Sequence, residues 1–435
     1  MQTSALGDAV TDDVAHPLAG RRIAVVGINY APEVTGIAPY TSQACRFLAT
    51  LGAQVEVFAG VPHYPHWRVP REYVRVWRAR EEDGDIAVRR MRHYVPRTQS
   101  AVARGVYELT FAAQVRTTRQ AESPDVVLAV VPTLLSGFAA WKMARRAHAP
   151  LVLWMQDLMG PAATQSGIAG GAKVGRVTAW LESRLVRRAN ATVVINDRFK
   201  EFLVERGGRR QEISLVRNWT HVSEPTRPRH LVRQELGWGD DELVVLHSGN
   251  MGLKQALENV VEAARLASAQ DNRVRFVLQG DGSQRQWLEE LGAGVRALSF
   301  LPSVSKDEYS DLLSAADILL INERATSVDM SLPSKLTSYL ASGRPVLAAV
   351  ALEGGTAHEV HRSGGGVVVE PEAPGHLLAR LLRLQSSPSE IETLGRRGRI
   401  YAESQLGRQA SLDGLVDVMV RVLGSRGESR AANST

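Results

Sequence analysis

The sequence predicts an α/β protein of two doubly wound domains in tandem, facing each other across a cleft. Three observations carry this. The chain has 435 residues, too long for one ordinary core. Continuously apolar runs alternate with amphipathic stretches of helical spacing, the pattern of parallel sheets covered on both faces. The alternation stops at RNWTHVSEPTRPRH (Arg217–His230), where Pro225 and Pro228 mark a linker, and then restarts.

Taken in order, residues 1–20 are polar and acidic, lack the apolar core of a signal peptide, and read as a disordered tail. The first domain takes residues 21–220. Its strands are expected in RRIAVVGINYAP (Arg21–Pro32), AQVEVFAG (Ala53–Gly60), DVVLAVVP (Asp125–Pro132), LVLWMQD (Leu151–Asp157) and ATVVIND (Ala191–Asp197). Helices are expected over Tyr40–Gly52 and Ala172–Arg188, the latter through Val177, Trp180, Leu181 and Leu185. The longest apolar run, Val126–Trp141, holds Pro132 and is shorter than the ~20 residues of a membrane span, so it reads as strand, turn and helix.

The second domain takes residues 221–395. Its strands are expected in ELVVLHSGN (Glu242–Asn250), VRFVLQGDG (Val274–Gly282), ADILLIN (Ala316–Asn322), PVLAAV (Pro345–Val350) and GGGVVVEP (Gly364–Pro371). KQALENVVEAARLAS (Lys254–Ser268) reads as a helix opened by its lysine. Residues 396–425 are expected to be one further helix, and 426–435 a flexible tail.

Apolar residues make up 44% and charged residues 23%, the balance of a folded globular protein. Cys45 is the single cysteine, so no intramolecular disulfide forms and a reducing cytoplasm fits. The charge is uneven. Through residue 220 there are 29 Lys and Arg against 19 Asp and Glu, and beyond it 23 against 27. The first half therefore favours an anionic partner or a membrane surface. Neither zinc spacing nor an aromatic RNA-binding signature is present, so nucleic acid is not expected.

Three stretches carry candidate chemistry. SGNMGLKQ (Ser248–Gln255) ends a strand with Gly249, Asn250 and Gly252 and then offers Lys254, a layout suited to phosphate though not a P-loop. QGDG (Gln279–Gly282) is a second glycine-rich strand exit, with Gly280 and Asp281. LPSKLTSYLASGRPVLAA (Leu332–Ala349) places Lys335 at the positive end of a helix, where the macrodipole disfavours it. An anion resolves that conflict. One exposed helix terminus contributes ~0.3–1 kcal/mol and one charge-assisted hydrogen bond ~1.5–3, so a diphosphate needs Lys254 and Lys335 together.

In the first half, GINYAPEVTGIAPY (Gly27–Tyr40) holds Glu33 and Gly36 after the first strand, GVPHYPHW (Gly60–Trp67) holds His63 after the second, and MQDLMG (Met155–Gly160) puts Asp157 at a strand end. Such strand ends are where ligands of doubly wound sheets bind. Neither a Ser-His-Asp arrangement nor a metal-ligand cluster is visible, so hydrolytic and metal catalysis are not expected.

Together these stretches resemble the retaining GT-B glycosyltransferases of the family-4 type, and within them the colanic-acid and O-antigen fucosyl or N-acetylfucosaminyl transferase branch. The likeness rests on GINYAPEVTGI, PHYPHW, VVPTL, QD, RNW, SGNMGLKQALENVVEAA, QGDG and LPSKLT, in order from Gly27 to Thr337. It implies a nucleotide-diphosphosugar donor, UDP-sugar favoured and GDP-sugar open. It implies donor contacts from Gly36, Gly249, Asn250, Lys254, Gly280, Asp281, Asp329, Leu332, Pro333, Ser334 and Lys335. Acceptor contacts are expected from Tyr30, Glu33, His63 and Asp157, and catalytic roles from Asp157, Lys254 and Lys335. No cofactor or metal is expected. The acceptor is either a polyprenyl-linked glycan or a soluble natural product, the former with peripheral membrane contact through the basic first domain. The resemblance also sends the helix of about Arg396–Leu423 back onto the first domain.

Many such enzymes carry two glutamates eight positions apart. The corresponding positions here are Met330 and Ser338, which leaves the ribose contact unassigned and Asp329 as the carboxylate expected near the sugar. A sugar-nucleotide epimerase on the same fold and a non-catalytic nucleotide-sugar-binding partner are the alternatives. Conversion of the donor without an acceptor marks the first, and binding without turnover the second.

Overall fold

The computed structural model describes residues 16–34, 36–97, 100–158, 171–220, 222–271, 273–326 and 334–432. Eight strands form the first sheet: β1 (Arg22–Val26), β2 (Gln54–Gly60), β3 (Arg78–Asp83), β4 (Ile86–Met91), β5 (Val126–Val131), β6 (Leu151–Met155), β7 (Ala191–Val194) and β8 (Ile213–Leu215). Their order is β3-β4-β2-β1-β5-β6-β7-β8. The central pairs are parallel, with Val25 opposite Val57 and Leu128, and every residue of β5 and β6 is buried. The helices between are α1 (Ala38–Thr50), α2 (Ala101–Thr117), α3 (Leu134–Arg146), α4 (Gly171–Val186) and α5 (Asp197–Glu205). The apolar run 126–141 is thus strand, turn and helix. No helix among the described residues is long and apolar enough to cross a membrane.

The second sheet comprises β9 (Leu243–Ser248), β10 (Val274–Gln279), β11 (Leu298–Leu301), β12 (Ile318–Asn322), β13 (Val346–Ala349) and β14 (Gly366–Val369) in the order β11-β10-β9-β12-β13-β14, parallel throughout. Residues alternate between its faces: Val244 and Leu246 join one core, Leu243 and Val245 the other. Its helices are α6 (Arg229–Glu235), α7 (Glu258–Ala269), α8 (Arg285–Leu291), α9 (Lys306–Ala315), α10 (Ser334–Ala341), α11 (Gly355–Ser363), α12 (Pro374–Gln385), α13 (Pro388–Gln405) and α14 (Arg408–Ala432). The change of sheet falls between β8 and β9, across the proline-rich segment. By compactness, one unit takes the chain through Gln156, Leu185–Val193 and the part from Leu415, and the other takes Asp157–Arg184 and Val194–Gly414.

Several expectations are corrected. The segment read as an N-terminal tail is partly ordered: His16–Gly20 form a turn, Leu18 is fully buried, and the Gly20 amide donates to Gly52. The β3–β4 hairpin is antiparallel and was missed because β3 (RAREED) is polar on both faces, although Gly84-Asp85, the two-residue loop between the paired Asp83 and Ile86, is a hairpin signal. The expected helix from Arg396 is two helices broken at Leu406-Gly407, and α14 runs through 426–432, whose Glu, Arg and Ala favour helix over a flexible tail. Lys254 does not open a helix. It lies in a single 3₁₀ turn (Leu253–Gln255), and Ala256 follows at φ +44°. The Asn322 amide clamps the carbonyls of Gln255 and Ala256 at 2.8 and 2.9 Å, so α7 begins only at Glu258.

Candidate active site

The exits of β9 and β10 remain hydrogen-bonded beyond the sheet. The Gly249 amide donates to Gln279 and the Met251 amide to Asp281, both at 2.8 Å. This close approach requires glycine at 280: its φ is +126°, and a Cβ there would lie 2.0 Å from the Gly249 carbonyl oxygen. Gly249 has φ +128°, and its open face meets Lys335, whose Nζ would stand 3.6 Å from a Cβ at that position. The structure therefore brings Gly249, Gly280 and Lys335 together, with Asp281 and Asn250 exposed beside them.

Lys335, in the first turn of α10, stands over a buried histidine that the sequence reading passed over. His247 is fully buried in β9, with Nδ1 3.2 Å from the Leu320 carbonyl and Nε2 3.3 Å from Lys335 Nζ. A carbonyl only accepts, so Nδ1 carries the proton and Nε2 offers its lone pair to the lysine. Burial, then the neighbouring Lys335, holds the His247 pKa well below its ordinary value, so the ring is neutral. Burial also lowers the Lys335 pKa to about 8, opposed by Glu323 at the exit of β12. At neutral pH the site holds one ammonium on a neutral acceptor.

Tyr339 fixes α10 to this exit: its hydroxyl accepts the Ser248 amide at 2.8 Å and donates to the Ser248 carbonyl at 3.1 Å. Ser248 Oγ donates to Gln279, whose amide donates to Pro302 at 2.8 Å. Arg324, just past β12, binds the turn of Lys254. Its amide donates to the Lys254 carbonyl and its Nε to Leu253, both at 2.9 Å, while its guanidinium pairs with Glu258 at 2.7 Å. Lys254 itself is exposed. The expected residues Asp329, Leu332 and Pro333 lie outside the described residues, and Ser334 is described only as the first residue of α10.

In the first sheet the expected acceptor residues separate into two kinds. Asp157 is half-buried just past β6, and its Oδ1 accepts the Leu158 amide at 2.8 Å. Glu33 is buried, with Oε1 accepting the amides of His63 and Tyr64 at 2.8 and 2.9 Å and Oε2 accepting from Asn29 at 2.8 Å. It ties the loop after β1 to the loop after β2. Tyr30 and His63 are only 1% and 3% exposed. The Tyr30 hydroxyl donates to Asp83 at 2.9 Å; His63 Nδ1 lies 3.0 Å from the Val61 carbonyl and Nε2 3.0 Å from the Tyr107 hydroxyl. Burial lowers the His63 pKa against the opposing pull of Glu33. Here Tyr30, Glu33 and His63 support loops and direct their polar atoms inward. Gly36, at φ +65°, packs against the Tyr64 ring. No group of three or more His, Cys, Asp or Glu that could hold a metal occurs among the described residues.

Two doubly wound sheets, the second parallel throughout and the first parallel at its centre, with paired glycine exits and a lysine at a helix start in the second, define a GT-B architecture. The chain matches the family described as "Glycosyl transferase 4-like domain" over residues 35–219 and "Glycosyl transferases group 1" over residues 242–387. It is 34% identical over 407 residues to WcaI of Escherichia coli K12, whose name places it among the glycosyl transferases of colanic acid biosynthesis; the match covers 89% of this chain and 97% of WcaI. The chain belongs to the family-4 type of GT-B glycosyltransferases, and it is an enzyme of that type. Similar solved structures share the fold. Sucrose-phosphate synthase from Thermosynechococcus elongatus has a TM-score of 0.70 at 18% identity, covering 93% of this chain and all of that one. Anabaena HepE in complex with UDP and glucose has 0.64 at 16%, covering 92% and 99%.

Proposed function

We propose that the protein transfers a sugar, with retention, from a nucleotide-diphosphosugar to a hydroxyl of a polyprenyl-linked glycan. A UDP-sugar is the favoured donor. The carrying observation is the Lys335 ammonium held against Gly249 by neutral His247. A cation fixed at a helix start beside two glycine exits suits a diphosphate. HepE, of the same fold, was solved with UDP and with UDP-glucose, which supports a uridine donor. WcaI, named for colanic acid biosynthesis, supports a glycan acceptor.

In this reading the bond from the anomeric carbon to the diphosphate oxygen breaks and the bond to the acceptor oxygen forms on the same sugar face. The acceptor proton passes to the departing phosphate. Lys335 and Lys254 stabilise the charge that develops on that phosphate, which is the main catalytic contribution, and Asp157 orients the acceptor hydroxyl. No metal is needed.

The test is donor turnover in excess EDTA, after the donor is chosen by thermal shift across nucleotide sugars. Lys254→Ala and Lys335→Ala are each expected to lower turnover roughly ten- to hundredfold, the worth of one charge-assisted hydrogen bond. Wild-type rates in both variants would overturn the donor-site assignment.

A further inference from the structure

A cavity of about 1470 Å³ opens in the first sheet's unit; none of the residues assigned above lines it, although the His63 ring packs behind its wall, 5.6 Å from the Trp67 ring and 4.8 Å from that of His93. Its walls are the chain after β2, the start of β3, the chain after β4 and the inner face of α2. It therefore sits at the carboxyl ends of two parallel strands, where such sheets bind ligands. Its size exceeds the ~300–1,000 Å³ of ordinary small-molecule pockets.

Among the described residues the lining contains five arginines and no aspartate or glutamate. Elsewhere in the same unit Arg46, Arg89 and Arg90 each pair with a carboxylate. Within the groove, and among the described residues, the Arg78 side chain bonds to Gln114 and Thr117, and that of Arg92 to the carbonyls of Tyr73 and Val74. Arg68, Arg71 and Arg97 are exposed and have no carboxylate partner among the described residues. Guanidinium groups gathered without counter-charge suit phosphate, which they can bind bidentately. His93 is also part of the wall. It is 4% exposed, burial pushes its pKa down to about 3, and its Nε2 has no hydrogen-bond partner among the described residues.

The apolar side of the groove is equally distinctive. Trp77 is 68% exposed on its wall and Tyr94 45%. On α2, Val102, Val106 and Leu109 are exposed at 78%, 40% and 59%. With Ala113, which lines the groove, they follow i, i+4, i+7, i+11 spacing and share one helix face. An exposed apolar stripe thus runs along α2 directly into the arginine cluster. Stripes of this kind mark binding surfaces.

We propose that this groove holds the diphosphate of a lipid-linked acceptor: the phosphates lie among Arg68, Arg71 and Arg97, and the hydrocarbon chain lies on Trp77 and the α2 stripe. The inference rests on the lipid-linked acceptor proposed above. The test is calorimetric titration of the full chain with farnesyl diphosphate. Binding at least tenfold tighter than that of inorganic diphosphate or farnesol is expected, because head and tail are both read. The Arg68→Gln/Arg71→Gln/Arg97→Gln variant and, separately, Trp77→Ala are expected to weaken it at least tenfold. All four side chains are exposed, so the melting temperature should stay within about 2 °C. Equal affinity for inorganic diphosphate, or unchanged affinity in the arginine variant, overturns the proposal. So does vesicle binding that is as strong with phosphatidylglycerol as with a polyprenyl diphosphate, since that is attraction to any anionic surface. Thermal shift by nucleotide sugars on the same preparation judges the donor reading independently. A chain that binds donor but not farnesyl diphosphate loses the groove proposal alone.

Discussion

Lys335 is the residue whose chemistry is most open to measurement, because its charge is poised near working pH. In the free chain its pKa falls from 10.5 to about 8 through burial. A bound diphosphate favours the charged form and raises that value again. Donor affinity is therefore expected to be flat below pH 8 and to fall as pH rises above it, by at most about tenfold per unit, with a proton taken up on binding. Calorimetry at pH 7 and pH 9, in buffers of different ionisation enthalpy, reads both effects. Equal affinity and no proton uptake at pH 9 would remove Lys335 from the donor site. Without ligand the sign reverses: between about pH 8 and 10.5 the unfolded chain holds the proton more strongly, so this group makes the fold more stable as pH rises. The sequence suggested the lysine because a cation at a helix start conflicts with the macrodipole unless an anion is near. It did not suggest His247. A histidine inside an apolar strand has the pattern of a core residue, and its partnership with Lys335 joins positions 88 apart in the chain.

At the scale of elements, the strand exits were legible and their bracing was not. Gly249 and Gly280 stood out as turn residues, but only the paired backbones show that Gly280 serves a close approach as well as a turn. Likewise Glu33 was read as a ligand contact because it follows a strand, whereas its carboxylate joins two strand-exit loops. The two roles make opposite predictions. Both loop amides bond to Oε1, and a glutamine keeps one such oxygen, so Glu33→Gln is expected to cost only about 1 kcal/mol and to retain most turnover. Glu33→Ala leaves those amides buried without an acceptor and is expected to cost roughly 3 kcal/mol. Urea unfolding of both variants, beside donor turnover, separates the cases. Lost turnover with full stability in Glu33→Gln would return this residue to the acceptor contacts. The β3–β4 hairpin shows the other limit. An edge strand with little apolar surface has no period to read, and only its Gly84-Asp85 turn announces it.

For the whole molecule, the alternation of strands and helices and the proline-rich break at 217–230 were enough to foresee two sheets. The C-terminal end was harder to read, because one amphipathic stretch and two consecutive helices look alike until the break at Leu406-Gly407 is seen. The buried face of α14 decides how much this end matters. Leu412, Leu415, Val416, Val418, Met419 and Val422 are each at most 7% exposed. Burying one such side chain stabilises by ~1.5–3 kcal/mol, so six contribute on the order of 10 kcal/mol as an upper bound. That is comparable to the whole ~5–15 kcal/mol stability of a typical fold. A chain ended after Gly407 should therefore lose cooperative melting or aggregate, because the apolar surface that α14 covers is left open to water. A chain ended after Ser425 keeps all six side chains and should melt within a few degrees of the full-length protein. Calorimetric scans of the two truncations test this directly. A cooperative, unshifted transition in the shorter chain would mean that α14 is an appendage and that the first sheet's unit, to which its residues from Leu415 belong, suffices without it.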